Sequence, residues 1–220
     1  MVDRPRDTPD DGPVRERLFP DARGFSIREV RELCAHLPKP ELRRLHHDVD
    51  EPTLAATAVP IVDVDGEAAV VIVRRSATVE NNPGMWVFPV GRVDRTDATM
   101  AGAALRNAAE QLSVPRDDVE LLAQLETHGP VMNGFLVSTF VVEPPEGFTF
   151  TPPRALVSEL AVVPLAHFMA EGRFGDRNLP DGGTMASFAL PNGELLWGLQ
   201  AEILLDLLER LVRDRVDHTA

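Results

Sequence analysis

The chain has 220 residues, 44% of them hydrophobic and 26% charged, enough apolar material for one well-buried domain and too much for wholesale disorder. Its 22 basic residues stand against 35 acidic ones, a formal charge of −13, which argues against nucleic acid as a partner, since phosphate affinity rests on clustered Lys and Arg. Cys34 is the single cysteine, so an intrachain disulfide and a cysteine zinc cluster are both excluded.

Residues 1–22 are polar, rich in Asp, Arg and Pro, and carry no apolar signal core; they read as a flexible tail. The longest apolar runs, Ala68 to Val73 and Phe135 to Val142, fall far short of the roughly 18 residues of a membrane span. The expectation is a cytoplasmic protein with no membrane partner. Ser26 is placed to cap a helix over Ile27 to Cys34. Pro38 and Pro40 end it, and Glu41 to His47 reads as a short second helix, so that residues 23–50 form a helical N-terminal segment. His46, His47, Asp48 and Asp50 have no second cluster at metal-ligand spacing and read as a solvated turn.

Thr57 to Val64 and Ala68 to Arg74 are β-branched-rich strands around a turn at Asp65-Gly66. Asp97 to Leu112 is the clearest helix, with Ala101, Ala104, Leu105, Ala108 and Leu112 on one stripe and Asp97 placed to cap. Strands are expected over Val119 to Thr127, Gly134 to Val142 and Leu160 to Val163. A Gly-rich loop over 172–183 and a hairpin turn at Pro191-Asn192-Gly193 follow. The last helix, Trp197 to Arg213, carries an apolar ridge at Ile203, Leu204, Leu207, Leu208 and Leu211. Burial against the sheet explains that ridge; a homodimer built on it is the lesser alternative. Strands interleaved with helices imply a mixed sheet with helices on its faces, an α/β (α+β) fold.

Opposite the stripe of the middle helix, Asn107, Glu110 and Gln111 fall at i, i+3 and i+4 and converge on one patch. A patch of carboxylates beside a glycine loop suits Mg²⁺ against a pyrophosphate; here Glu110 is the one carboxylate. A solvated polar face is the other reading of the same spacing. Trp86 and Phe88 flank the glycine loop, either to stack on a ligand or to pack in the core. His128 either faces a pocket or is structural.

The stretch from Gly91 to Val114 resembles the Nudix box, G-x5-E-x7-R-E-U-x-E-E-x-G-U with U aliphatic. It is closer to the box of coenzyme A pyrophosphatases, which has Asp after the loop and one more residue before the Arg. Gly91, Asp97, Leu105, Arg106, Ala108 and Glu110 fit that longer pattern. Upstream, Val71-Ile72-Val73-Arg74-Arg75-Ser76, Gly84 and Phe88-Pro89-Val90-Gly91 are similar to the second signature of that branch, L-L-T-x-R-S-x3-R-x3-G-x3-F-P-G-G. Downstream, Asn133 to Val137, Val163-Pro164-Leu165 and Leu196 to Ala201 look like its later landmarks, in order.

The resemblance implies a Nudix-type α/β/α sandwich over 51–215, with a mixed β-sheet, the box helix and a C-terminal helix. It implies a hydrolase that cleaves a pyrophosphate in a nucleotide-linked small molecule, using Mg²⁺ or Mn²⁺ and no nucleic acid. Glu110, Asn107, Gln111 and Glu159 take the catalytic positions. Glu110, Gln111 and Gly91 take the metal positions, and Arg75, Ser76, Gly84, Phe88 and Gly91 the substrate positions. Asp94 is a further candidate carboxylate. Several residues depart from the pattern. Asn107 and Gln111 stand where the family has Glu, each removing a full charge from the attraction for a hard dication. Asn107 cannot serve as a general base. Val90 replaces a loop glycine, Ser113 the terminal one, and Glu80 reverses the charge of a basic signature residue. The implied outcome is impaired metal binding, with Mn²⁺ more effective than Mg²⁺; a Nudix fold retained as a nucleotide-binding or interaction module is the alternative.

Overall fold

The computed structural model describes residues 23–37, 42–44, 52–129, 131, 134–179 and 183–219. In chain order the elements are α1 (Ile27–His36), β1 (Leu42–Arg44), β2 (Thr53–Val64), β3 (Glu67–Arg75), β4 (Trp86–Val87), β5 (Val90–Arg92) and α2 (Met100–Leu112). After a 3₁₀ turn come β6 (Glu120–Gly129), β7 (Phe135–Glu143), β8 (Val157–Pro164), α3 (Leu165–Met169), β9 (Phe174–Asn178), β10 (Thr184–Ala189), β11 (Leu195–Trp197) and α4 (Leu199–Thr219).

β2 organises the fold. Ala56 and Ala58 enter one core while Val59 and Ile61 enter the other, and on β3 Val71 and Val73 join the first while Val70 and Ile72 join the second. Strands buried on both faces read as continuous apolar runs, as these do. From Thr53 to Pro60, β2 runs parallel to β7; from Ile61 to Val64 it pairs antiparallel with β3. Asp65 (φ +53°) and Gly66 (φ +88°) supply the two positive φ values that a tight hairpin of this twist needs. The eight-stranded sheet runs β1-β6-β7-β2-β3-β4, with β5 on β2 and β8 on β3. One core lies under α2. The other lies under α1 and α4, and takes in Phe188 and Leu196 from a small β11-β10-β9 sheet. This is a mixed sheet between helical layers, as the sequence implies.

Three local expectations change. Leu42–Arg44 is a strand parallel to Thr127–Gly129 rather than part of a short helix; pairing at a sheet edge overrides weak helical propensity. The tail at 1–22 and the His46/His47 stretch lie outside the described residues. The 172–183 loop contains β9, which is too polar to alternate visibly but is anchored by Phe174 against Phe188, ring centroids 5.0 Å apart. The middle helix starts at Met100, and Thr99 rather than Asp97 caps it, its Oγ1 accepting the Gly102 N–H at 2.9 Å. Finally, Ile203, Leu204, Leu207, Leu208 and Leu211 are all 0% exposed within the core of their own chain, so the ridge presents no face to a second copy. No described helix is long and apolar enough to cross a membrane.

Candidate functional site

Small side chains set the geometry around α2. Ala56 and Ala58 on the sheet and Ala103, Ala104 and Ala108 on the helix are fully buried together, and alanine faces let a helix backbone approach a strand closely. Asn107 and Gln111, expected on a polar face away from the stripe, are therefore buried at the seam. The Asn107 amide nitrogen donates to Ala56 O at 3.0 Å and Gly91 O at 3.3 Å, and that of Gln111 donates to Val90 O at 3.0 Å. Carbonyl oxygens only accept, so the NH₂ of each amide must face them.

The neighbouring carbonyls are engaged in the same way. Pro89 O accepts from Ala58 N and Thr57 Oγ1, and Arg92 O accepts from Arg106 Nη2 at 3.0 Å. Each carbonyl from Pro89 to Arg92 thus receives a donor from the protein itself. Gly91 is required by this closeness, because a Cβ there would sit 2.4 Å from Asn107 Oδ1.

Arg106 fastens the loop to the helix. Its Nε and Nη2 make two bonds to Asp97, at 3.0 and 2.7 Å. The guanidinium holds the Asp97 carboxyl below its ordinary range, and Asp97 in turn raises Arg106. Glu110 is exposed and lies 3.4 Å from Arg106 Nη1. Asp94 closes its own turn on Thr96.

The remaining sequence candidates are dispersed. Glu159 forms an ion pair with Arg74 at 2.7 Å, and Arg74 also reaches Glu194 at 3.0 Å. Phe88 is fully buried, and Trp86 donates its Nε1–H to Glu194 at 2.7 Å, so both aromatic rings belong to the core. Ser76 is buried, with its hydroxyl on Thr78. Gly84 (φ +73°) turns the chain, donating to Arg75 O and accepting from Arg74 Nε. His128 is buried within β6. Among the described residues no group of three or more His, Cys, Asp or Glu side chains is placed to hold a metal ion.

What the structure does bring together is a cavity of about 140 Å³ outside the seam, whose wall includes Gly91 and Val90. Arg75, half-buried, and Arg92, exposed, border it with Asn81, Phe135 and Gln200. Arg75 Nε donates to Asn81 O at 2.7 Å, and burial alone lowers its pKa. Arg92 lies 5.5 Å over the Phe135 ring. Arg92 and Gln200 escaped the sequence reading, although each adjoins a landmark: Arg92 follows Gly91, and Gln200 lies in the Trp197-Gly198-Leu199-Gln200 run.

Comparison with known proteins adds the following. The NUDIX domain family matches residues 52–181. The uncharacterized Nudix hydrolase NudL of Cronobacter sakazakii is 32% identical over 159 residues, covering 70% of this chain and 80% of its own. The protein of the same name from Photorhabdus laumondii is 28% identical over 165 residues, covering 71% and 84%. Among solved structures, a MutT/nudix family protein from Enterococcus faecalis aligns with a TM-score of 0.48 at 15% identity, over 86% of this chain and 70% of its own.

Proposed function

The chain belongs to the Nudix family, and from that premise we propose that it is a Nudix pyrophosphohydrolase for a nucleotide-linked substrate whose binding of divalent metal is impaired. The observation that carries this reading is the direction of the two amides. A cation site needs lone pairs pointing inward from carboxylates and carbonyls. Asn107 and Gln111 instead point hydrogens at Ala56 O, Val90 O and Gly91 O. The donor set present does not fit a hard dication, and Glu110 is the one box carboxylate left beside it. A coenzyme A-like substrate is the narrower form of the proposal; Glu80, reversing the charge of the signature, makes the contacts to it different from those of the family.

The test is isothermal titration of Mn²⁺ and Mg²⁺ into the wild type and into Asn107→Glu/Gln111→Glu. The expected result is sub-millimolar Mn²⁺ binding by the double variant only, with faster pyrophosphate hydrolysis than the wild type alongside it. Sub-millimolar binding by the wild type would overturn the impairment. A second reading, a ligand-binding module with no turnover, is favoured by the burial of Asn107 and Gln111 as structural donors. Hydrolysis by the wild type in millimolar Mn²⁺ decides between the two.

A further inference from the structure

Resting on the Nudix reading, the geometry points to one step more: the cavity bordered by Arg75, Arg92 and Gln200 binds the diphosphate group of its ligand without a metal ion. Three observations converge there. First, Arg75 and Arg92 both border the cavity, and among the described residues neither forms an ion pair. The described residues that border it include no Asp or Glu. Two guanidiniums facing one cavity without a carboxylate are unusual on a chain of net charge −13, and each can donate two parallel bonds to phosphate oxygens.

Second, Gln200 is only 7% exposed and borders the same cavity. Its Oε1 accepts the Phe88 N–H at 2.8 Å, and this fixes the orientation of the amide. The NH₂ has no hydrogen-bond partner among the described residues. That nitrogen is not sealed from solvent, so it stands as an open donor that an acceptor on a ligand can take. Third, the cavity is smaller than the roughly 300 Å³ at which pockets for whole drug-sized molecules begin. It takes a charged head and leaves the rest of the molecule outside. Val131, Phe135 and Leu199 supply the apolar part of the cavity's own lining. Desolvation of Arg75 with no compensating carboxylate agrees with this placement.

The consequence is a division of labour different from that of a metal-bridged site. The amides of Asn107 and Gln111 hold the loop wall where a cation would otherwise draw its carbonyls together. The charge that meets the phosphates comes from the guanidiniums on the other side of that wall.

The experiment is calorimetric titration of inorganic pyrophosphate, and separately of ADP, into the full chain in excess EDTA and again in Mn²⁺. Binding is expected in EDTA with a Kd within about threefold of that in Mn²⁺, weakening as NaCl is raised. Arg75→Gln and Gln200→Glu are each expected to weaken it at least tenfold. Gln200→Glu is the sharper variant, because it keeps the acceptor for Phe88 N–H while replacing the donor by a negative charge. A thermal melt reports whether each variant is folded, and exposed Arg95→Gln, outside the cavity, should bind as the wild type does. Binding of pyrophosphate only with Mn²⁺ overturns this inference and leaves the Nudix reading standing. Metal-free binding that is indifferent to both Arg75→Gln and Gln200→Glu also overturns it, since the anion is then held elsewhere. No binding of either probe with or without metal overturns both this inference and the proposed pyrophosphohydrolase activity, and leaves family membership untouched.

Discussion

Asn107 on α2 donates its amide to the carbonyl of Ala56 on β2 at 3.0 Å, deep in the seam between helix and sheet. A carboxylate at that position would set oxygen against oxygen, unless a proton or a cation lay between them. The amide and the carboxylate have nearly the same shape and opposite electrostatics there, and the difference can be measured.

Asn107→Asp should lower stability at neutral pH by about 1–3 kcal/mol, the cost of a buried polar group that has lost its partner. Its folded pKa will be raised above the unfolded value of about 3.9. The protonated form restores a donor, so the deficit against wild type should shrink as pH falls toward that value and grow as pH rises. Thermal melts of both proteins at pH 4.5 and 7.5 check this; a deficit independent of pH would contradict it.

Gly91→Ala places a Cβ 2.4 Å from Asn107 Oδ1 and should cost about 1–3 kcal/mol by overpacking. Asn107→Ala removes the atom it meets. The double variant should therefore be less destabilised than the sum of the single ones by at least 0.5 kcal/mol. Denaturant titration of the four proteins measures that coupling, and strict additivity would show that the contact does not constrain Gly91.

The Asp97–Arg106 pair gives an acid response of the opposite sign. The carboxyl of Asp97 is held below its ordinary range, chiefly by bonds from Arg106. Its contribution is therefore present above the unfolded pKa near 3.9 and is lost as pH falls through the folded value. Asp97→Asn should lower Tm at pH 7, and its difference from wild type should close below about pH 4.

Leu208→Ala should cost about 2–5 kcal/mol, as expected for a leucine deleted from a packed core. The oligomeric state should not change, because the ridge on α4 lies inside its own chain. Sedimentation of wild type and variant at equal concentration checks this. A wild-type dimer that the variant dissociates would put the ridge at an interface instead.

Much of the architecture was legible because its signals are local. The Asp65-Gly66 turn, the apolar runs of β2 and β3 and the ridge of α4 each show in a short window. β9 did not, since Gly175, Asp176 and Arg177 neither alternate nor carry apolar bulk. The site was half legible. Spacing placed Asn107, Glu110 and Gln111 on neighbouring turns, but helical period alone put them opposite the buried stripe. Burial of Asn107 and Gln111 depends on the alanines of β2 lying opposite those of α2, and one helix does not reveal its partner's side chains. Arg75, Arg92 and Gln200 come from separate elements, and only the closed sheet gathers them. The resemblance found the helix and the loop; it did not show which way two amides point.

The double pairing of β2 also has a kinetic consequence. Its second half closes on β3 through a two-residue turn, a contact formed within microseconds in isolated hairpins. Its first half lies parallel to β7, whose partner residues come some eighty positions later in the chain; closing so long a loop is entropically slow and raises the barrier. One strand is therefore committed early at one end and late at the other. Until β7 arrives, the backbone groups of Thr53 to Pro60 on that side stay unpaired, leaving this edge of the nascent chain open to pairing with another molecule.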